Sequence, residues 1–309
     1  MEEIQRNFDD FNHPDVEAIA IIRGRVLQAL QQYLLERDFK QLMPILMSPI
    51  TDPLNHAVYP AELQYETRRL KLTASMIFHK QLALTARGHD KIFIVAPNIR
   101  LEKAEIKDSE NHLLEFSQFD FEIRGGNMHQ VMALIEGLIK HTFAEVRQHC
   151  SAQLAHLNRQ LPHYETHFPI YSSDELRAEY GDDFEKIMSA KAHTPFFVTN
   201  YRREFYDRET PGKRGQYNNY DLIYPDSYGE ALSGAEREFE YEQIIYRMEE
   251  LSMDLAPFAN YLQVAKRGLL HPSAGGGLGI ERLLKFICGK RRIRDVALFD
   301  RTVGTSFLF

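Results

Sequence analysis

Apolar residues recur at helical spacing from Val16 to Leu35, through Ile19, Ile22, Val26, Leu30, Tyr33 and Leu34, which predicts a long amphipathic helix. The stretch RDFKQLMPILMSP then turns that helix into a strand. KIFIVAP, from Lys91 to Pro97, is a short apolar run of strand type, and FSQFDFEI alternates. The alternation puts Phe119, Phe121 and Ile123 on one face and Gln118, Asp120 and Glu122 on the other. Helical period returns in NMHQVMALIEGLIKHTFAEVRQ through Met128, Val131, Met132, Ile135, Leu138 and Val146, a helix expected to cover a sheet. The segment from Ser151 to about Ala192 is polar and mixed, and HTPFFVTNYRREFYDRETPGKRGQYNNYDLIYP reads as strand, Gly/Pro-rich loop, strand. Residues 151–215 are therefore expected as an inserted subregion. A last helix, Gly279 to Cys288, follows a glycine run, and neither repeats nor low-complexity linkers interrupt the chain. The pattern predicts one α/β (α+β) domain over residues 1–309, with an antiparallel sheet flanked by helices.

Composition changes this picture little. The 309 residues are 44% hydrophobic and 26% charged, ordinary for a globular core. A net charge of -7 argues against a broad basic surface for a polyanion. Cys150 and Cys288 stand far apart, which suggests two buried thiols rather than a disulfide or a thiolate metal site. No signal-like or membrane-length apolar run is present, so a cytoplasmic protein without a membrane partner is expected.

Two stretches carry candidate chemistry. In NIRLEKAEIKDSENHLLEFSQFDFEI, Arg100 and Glu102 alternate on one strand face and Phe116 lies on the returning strand. Such a pair offers an arginine, a carboxylate and an aromatic ring to one ligand; it equally describes a surface hairpin with cross-strand charge pairs. In GGGLGIERLL, from Gly275 to Leu284, the glycines let backbone approach a ligand and Arg282 falls in the first turn of the next helix, where an arginine suits phosphate. Alone, that run also reads as a tight packing corner.

In this order the two stretches resemble motifs 2 and 3 of the class II aminoacyl-tRNA synthetases, and the resemblance points to the aspartyl and asparaginyl branch. RDFKQLMPIL resembles motif 1, with Pro44 at the dimer-interface proline. LTASMIFHKQ is similar to the SPQLYKQ-like segment of aspartyl enzymes, and NYDLIYPDSYGEALSGAERE to the metal and amino-acid segment. The resemblance implies a class II synthetase-like sheet, ATP as substrate and Mg²⁺. It implies that Arg100, Glu102, His112, Phe116, Gly279 and Arg282 bind ATP, with Arg100 and Arg282 catalytic on the α- and γ-phosphates, and that Asp221 and Glu230 hold Mg²⁺. Glu62 and Ser75 would face the amino group of aspartate, while Lys80 and Arg237 would meet its side-chain carboxylate. Two cations on one carboxylate favour aspartate over its amide, which would leave buried charge unpaired. Taken alone, Lys80 reads as an exposed helix lysine.

Synthetases resembling this core carry a separate anticodon-binding barrel, whereas here the motif 1 helix begins almost at Met1, so no tRNA partner is expected. The chain instead resembles the archaeal-type asparagine synthetase group. That resemblance implies activation of the aspartate β-carboxylate to an aspartyl adenylate with release of pyrophosphate, then attack by ammonia to give asparagine. Asp52, in SPITDP, is the candidate general base; a turn-forming Asp before Pro is its other reading. A homodimer through motif 1 is implied. Ile77, Asn111, Ser273 and Asp300 depart from the family pattern, which leaves open another amine acceptor, a tRNA-synthetase paralogue or a silent paralogue.

Overall fold

The computed structural model describes residues 2–107, 109 and 111–306. Its main helices are α1 (Asp15–Leu35), α2 (Ile77–Ala83), α3 (Met128–His149) and α4 (Ile280–Ile287). Eight strands make the central sheet: β1 (Lys40–Leu42), β2 (Lys91–Ile99), β3 (Glu115–Arg124), β4 (Ile170–Ser172), β5 (Phe196–Thr199), β6 (Asn219–Tyr224), β7 (Gly229–Arg237) and β8 (Ser273–Gly279). Their spatial order is β1-β2-β3-β8-β7-β6-β5-β4. Pairing is antiparallel except at the two edges, where β1 runs parallel to β2 and β4 to β5. Residues 151–215 thus supply two strands of this same sheet, β4 and β5.

The helical periodicity translates directly into burial. Ile19, Ile22, Val26, Leu30, Tyr33 and Leu34 form the buried stripe of α1, with Asp15 and Glu17 in its first turn, where acids complement the helix dipole. α3 opens with a capping box: the Asn127 side chain accepts from Gln130 N–H, and Gln130 reaches back to Asn127 N–H. Both helices and α4 bury Leu138, Phe143 and Phe286 with Phe119 and Phe121 of β3 in one core. Cys150 and Cys288 are buried there too. A second apolar cluster, with Phe78 stacked on Phe205 at 5.9 Å beside Tyr206, Phe258 and Tyr261, fixes α2 and the segment around Tyr206. Strand alternation turns Asp120 and Glu122 away from the helical core, toward α2.

Three expectations need correction. The glycine run is not a turn ahead of the last helix: it is strand β8 at the centre of the sheet, and only Gly279 caps α4. Arg100 does not alternate with Glu102 on one strand, because β2 ends at Ile99 and Glu102 N–H donates to Arg100 O at 2.8 Å across a tight turn. The strand expected in RDFKQLMPILMSP is two short pieces, β1 and Met47–Ser48, separated around Pro44, which has no N–H to pair. That interruption exposes Met43, Ile45, Leu46 and Met47. Among the described residues no helix is long and apolar enough to cross a membrane.

The glycines of β8 are there because neighbours occupy the space. A Cβ at Gly275 would lie 2.1 Å from Phe121 O and 2.3 Å from Glu122 Oε2, both in the packed sheet. Gly275→Ala is therefore expected to destabilise the fold by about 3 kcal/mol, as overpacking of a rigid site does. Urea unfolding of the purified variant measures it, and an unchanged midpoint would contradict this packing.

Candidate functional site

The sheet face opposite α1 and α3 carries a cavity of about 490 Å³. Its floor is one row of directly opposed residues, Asp120 on β3, Gly277 on β8, Ser233 on β7 and Asp221 on β6. A Cβ at Gly277 would meet Gln118 Nε2 at 2.1 Å, so glycine leaves this part of the floor low.

At one end lies a buried charge network. Lys80 Nζ donates to Asp120 Oδ1 at 2.8 Å and to Gly276 O at 3.2 Å, and lies 3.5 Å from Glu122 Oε2. Arg237 Nε donates to Glu122 Oε1 at 3.1 Å, and its Nη1 is 3.5 Å from Asp207 Oδ1. Ser273 Oγ also donates to Glu122, at 3.0 Å. Lys80 is only 2% exposed, so the exposed-lysine reading fails: α2 delivers it to the cavity. Burial alone would lower the Arg237 pKa, but Glu122 and Asp207 hold it above the usual value. The two cations are brought together on Glu122 rather than on each other. Asp120 Oδ2, buried at the cavity floor, accepts no hydrogen bond among the described residues.

The other end gathers Arg100, Glu102, His112, Glu230 and Arg282. Arg282, in the first turn of α4, has Nη1 3.2 Å from Glu230 Oε1. Arg100 Nε donates to Ala74 O at 3.2 Å, and its guanidinium lies 5.1 Å from the Phe116 ring centre. Glu102 receives His56 Nε2 at 3.0 Å. Burial, with Arg282 nearby, pushes His112 below its usual pKa. A small recess lined by Phe116 and Gly279 opens from this end and shares Arg100 and Arg282 with the main cavity.

Asp221 and Glu230 stand on the paired strands β6 and β7 beside a register shift at Leu222 and Ile223. Burial raises Asp221 to about 7, with Glu230 adding to the rise and Arg203 opposing it. Glu230 is also raised by burial, yet Arg282, Arg203 and Arg100 outweigh it and hold Glu230 low. Two carboxylates that raise each other's cost of ionisation fit a hard divalent cation completed by phosphate oxygens. Among the described residues no cluster of three or more His, Cys, Asp or Glu offers an all-protein metal site.

Arg203, which the sequence reading passed over, links the two ends. Nη1 donates to Asp221 Oδ1 at 2.7 Å, Nε to Asp207 Oδ2 at 3.1 Å and Nη2 to Gly234 O at 3.1 Å. The charge density of NYRREFYDRE was visible, but no periodicity in a loop says which charge turns inward. Asp120, Glu122, Glu204 and Asp207 were missed as site residues for a related reason: alternation showed a polar face on β3 without showing that this face is buried.

Among the remaining expected residues, Ser75 lines the cavity and donates to Asp52 Oδ2 at 2.9 Å. Asp52 also accepts from Tyr206 OH at 3.0 Å and from Leu54 N–H at 3.0 Å, so it is at once a turn-forming Asp and a buried cavity residue. Glu62 is not brought to this cavity: it sits on the strand Glu62–Tyr65, exposed, 3.7 Å from Arg69. Ile77 lines the cavity near Lys80.

Glu204 gives the site a pH signature. Burial, reinforced by Asp207 and Asp52 against Arg203, raises it to about 8. A glutamate that ionises near 4.3 when unfolded but near 8 when folded supplies stability that is complete below pH 4 and lost as pH rises through 8. Glu204→Gln is expected to flatten that decline, by about 1 kcal/mol or more between pH 6 and pH 9. Urea midpoints of both proteins at the two pH values test it, and parallel declines would refute the assignment.

The family model for class II tRNA synthetases (D, K and N) matches residues 2–303. The aspartate–tRNA(Asp/Asn) ligase of Methanopyrus kandleri is 31% identical over 308 residues, covering 94% of this chain and 69% of that protein. The asparagine–tRNA ligase of Pyrococcus abyssi is 27% identical over 95% of this chain and 71% of its own. In fold, the chain matches asparaginyl-tRNA synthetase from Pyrococcus horikoshii, solved with asparaginyl-adenylate, at a TM-score of 0.82, 24% identity and coverage of 94% and 70%. The Entamoeba histolytica asparaginyl enzyme, also with its adenylate, gives a TM-score of 0.81 at 20% identity, covering 94% and 68%.

Proposed function

The chain belongs to the class II tRNA synthetase family of the D, K and N enzymes, and on that premise we propose that it activates aspartate with ATP and passes the acyl group to ammonia, giving asparagine, AMP and pyrophosphate. The supporting observation is the two-ended cavity: cations and carboxylates suited to a metal-bound triphosphate at one end, and the Lys80–Arg237 pair at the other.

At the phosphate end, Arg100 and Arg282 bind the phosphates, and Arg100 stays on the α-phosphate as charge develops during adenylation. Phe116 and Gly279 form the recess for adenine, and Glu102 and His112 close the wall around it. Mg²⁺ held by Asp221 and Glu230 supplies charge neutralisation for the phosphates. Arg203 aims the Asp221 carboxylate by its 2.7 Å bond and favours its ionised form against burial.

At the amino-acid end, Lys80 and Arg237 meet the substrate's side-chain carboxylate, sharing charge now spent on Asp120 and Glu122. Asp120 Oδ2, buried and accepting no hydrogen bond among the described residues, suits the substrate ammonium, with Ser75 on the same cavity, whereas Glu62 stands outside it. The acids Asp52, Glu204 and Asp207 line the wall beside that end and suit a small cationic acceptor, ammonium. The exposed Met43–Met47 stretch around Pro44 is proposed to bury itself in a homodimer, which sedimentation would show.

Adenylation is tested by amino-acid-dependent exchange of pyrophosphate into ATP. Aspartate supports exchange under this reading and asparagine does not; exchange with asparagine alone would overturn it. Similarity to tRNA ligases along 94% of the chain favours a second acceptor, tRNA, and transfer of labelled aspartate to tRNA in the absence of ammonium would establish it instead.

A further inference from the structure

The loop between β5 and β6 places one carboxylate in an unusual position. Glu204 lines the cavity, and its Oε2 is shielded from solvent yet accepts no hydrogen bond among the described residues. Arg203 Nε lies 3.0 Å from it, but that nitrogen carries a single hydrogen, which goes to Asp207 Oδ2 at 3.1 Å. Glu204 therefore receives charge from Arg203 without a proton. By contrast, Asp52 has both oxygens engaged, by Leu54 N–H, Ser75 Oγ and Tyr206 OH.

Position matters as much as bonding. Arg203 joins Glu204 to Asp221 at the phosphate end, and Asp207 joins the same arginine to Arg237 at the amino-acid end. The bond that adenylation creates, between a carboxylate oxygen of aspartate and the α-phosphorus as pyrophosphate leaves, must form where those two ends meet. A nucleophile attacking the acyl carbon approaches through this junction. The facing groups are Arg203, Asp207 and Asp52, two of them acids, so a cation entering here offsets their repulsion of the Glu204 carboxylate.

From this geometry, and resting on the amide-forming reading above, we infer that Glu204 is the catalytic base that captures ammonium and takes its proton, in place of Asp52. Ammonium gives one proton to the Glu204 carboxylate and becomes ammonia. The nitrogen lone pair forms the C–N bond at the acyl carbon, and the C–O bond to phosphate breaks with its electron pair leaving on AMP. The second nitrogen proton departs with the AMP phosphate and passes to water. Burial, Asp207 and Asp52 raise Glu204 to about 8, so the entering ammonium must first favour its ionised form, after which proton transfer from ammonium is far less uphill than to an ordinary carboxylate.

The test uses the full chain and compares two acceptors. Hydroxylamine is largely neutral at pH 7 and needs no base to free its lone pair, whereas ammonia is almost wholly protonated. Glu204→Gln is expected to lower ammonium-dependent asparagine formation at least 50-fold, while aspartate hydroxamate formation falls less than 5-fold. Glu204→Asp should recover part of the ammonium reaction, with an altered pH profile. Equal loss with both acceptors, or equal loss of pyrophosphate exchange, would show that Glu204 only supports the site and overturn the inference. Normal asparagine formation by Glu204→Gln would overturn it as well. Failure of the wild-type protein to exchange pyrophosphate with aspartate would instead remove the reading beneath it, and the inference with it.

Discussion

Arg100→Ala is expected to lower aspartate-dependent pyrophosphate exchange by about 10²–10³-fold with little change in stability. The guanidinium is held by Ala74 O at 3.2 Å and lies against Phe116 with no direct ion pair among the described residues, and Glu230, which its charge helps to hold low, keeps Arg282 at 3.2 Å when Arg100 is removed. Its charge is therefore available to a ligand, and a fixed cation aimed at charge that develops only during reaction acts on the rate more than on substrate binding. Arg100→Lys would restore charge but not a fork of donors, and should recover only part of the rate. Steady exchange kinetics at saturating ATP check this, and an Arg100→Ala protein with near-normal exchange would remove Arg100 from the chemistry.

Arg237→Leu is expected to cost about 3–5 kcal/mol of folding stability, because it strips a direct partner from Glu122, which is fully buried. Lys80, 3.5 Å from the same carboxylate, cannot replace two guanidinium contacts while it also serves Asp120. Adding Glu122→Gln to Arg237→Leu should restore much of the stability, since the orphaned charge disappears with its partner. Aspartate-dependent exchange should stay lost in the double variant. Chemical denaturation and exchange on the same samples separate the two effects; a stable Arg237→Leu single variant would mean that Glu122 is neutral or otherwise satisfied.

The helical part of the fold was legible because burial of α1 and α3 follows the 3.6-residue period, and Ile22, Val26 and Leu138 fall on it. β3 was legible as an alternation, but both of its faces are buried. Phe119 and Phe121 enter the helical core while Asp120 and Glu122 face Lys80 and Arg237, and a polar face beneath a cavity has the same pattern as one in water. β8 was misread because glycine carries no side-chain period, and its reason lies in neighbouring strands: Phe121, Glu122 and Gln118 fill the space beside Gly275 and Gly277. Lys80 stands on a short helix where spacing alone gives no inward direction, and its burial at the cavity became visible only in the structure. Arg203 and Glu204 sit in a loop, where no repeat tells an inward charge from an outward one. Glu62 was placed by the family resemblance, yet its strand holds it outside.

The central claim is that the two ends of this cavity join aspartate to ammonia at the expense of ATP. The most direct measurement incubates the protein with ATP, Mg²⁺, aspartate and ¹⁵N-ammonium and follows labelled asparagine alongside AMP. Asparagine carrying ¹⁵N in its amide, formed one for one with AMP, is the predicted result. AMP and pyrophosphate formed without labelled asparagine, whatever the ammonium concentration, would contradict it and assign the adenylate to another acceptor.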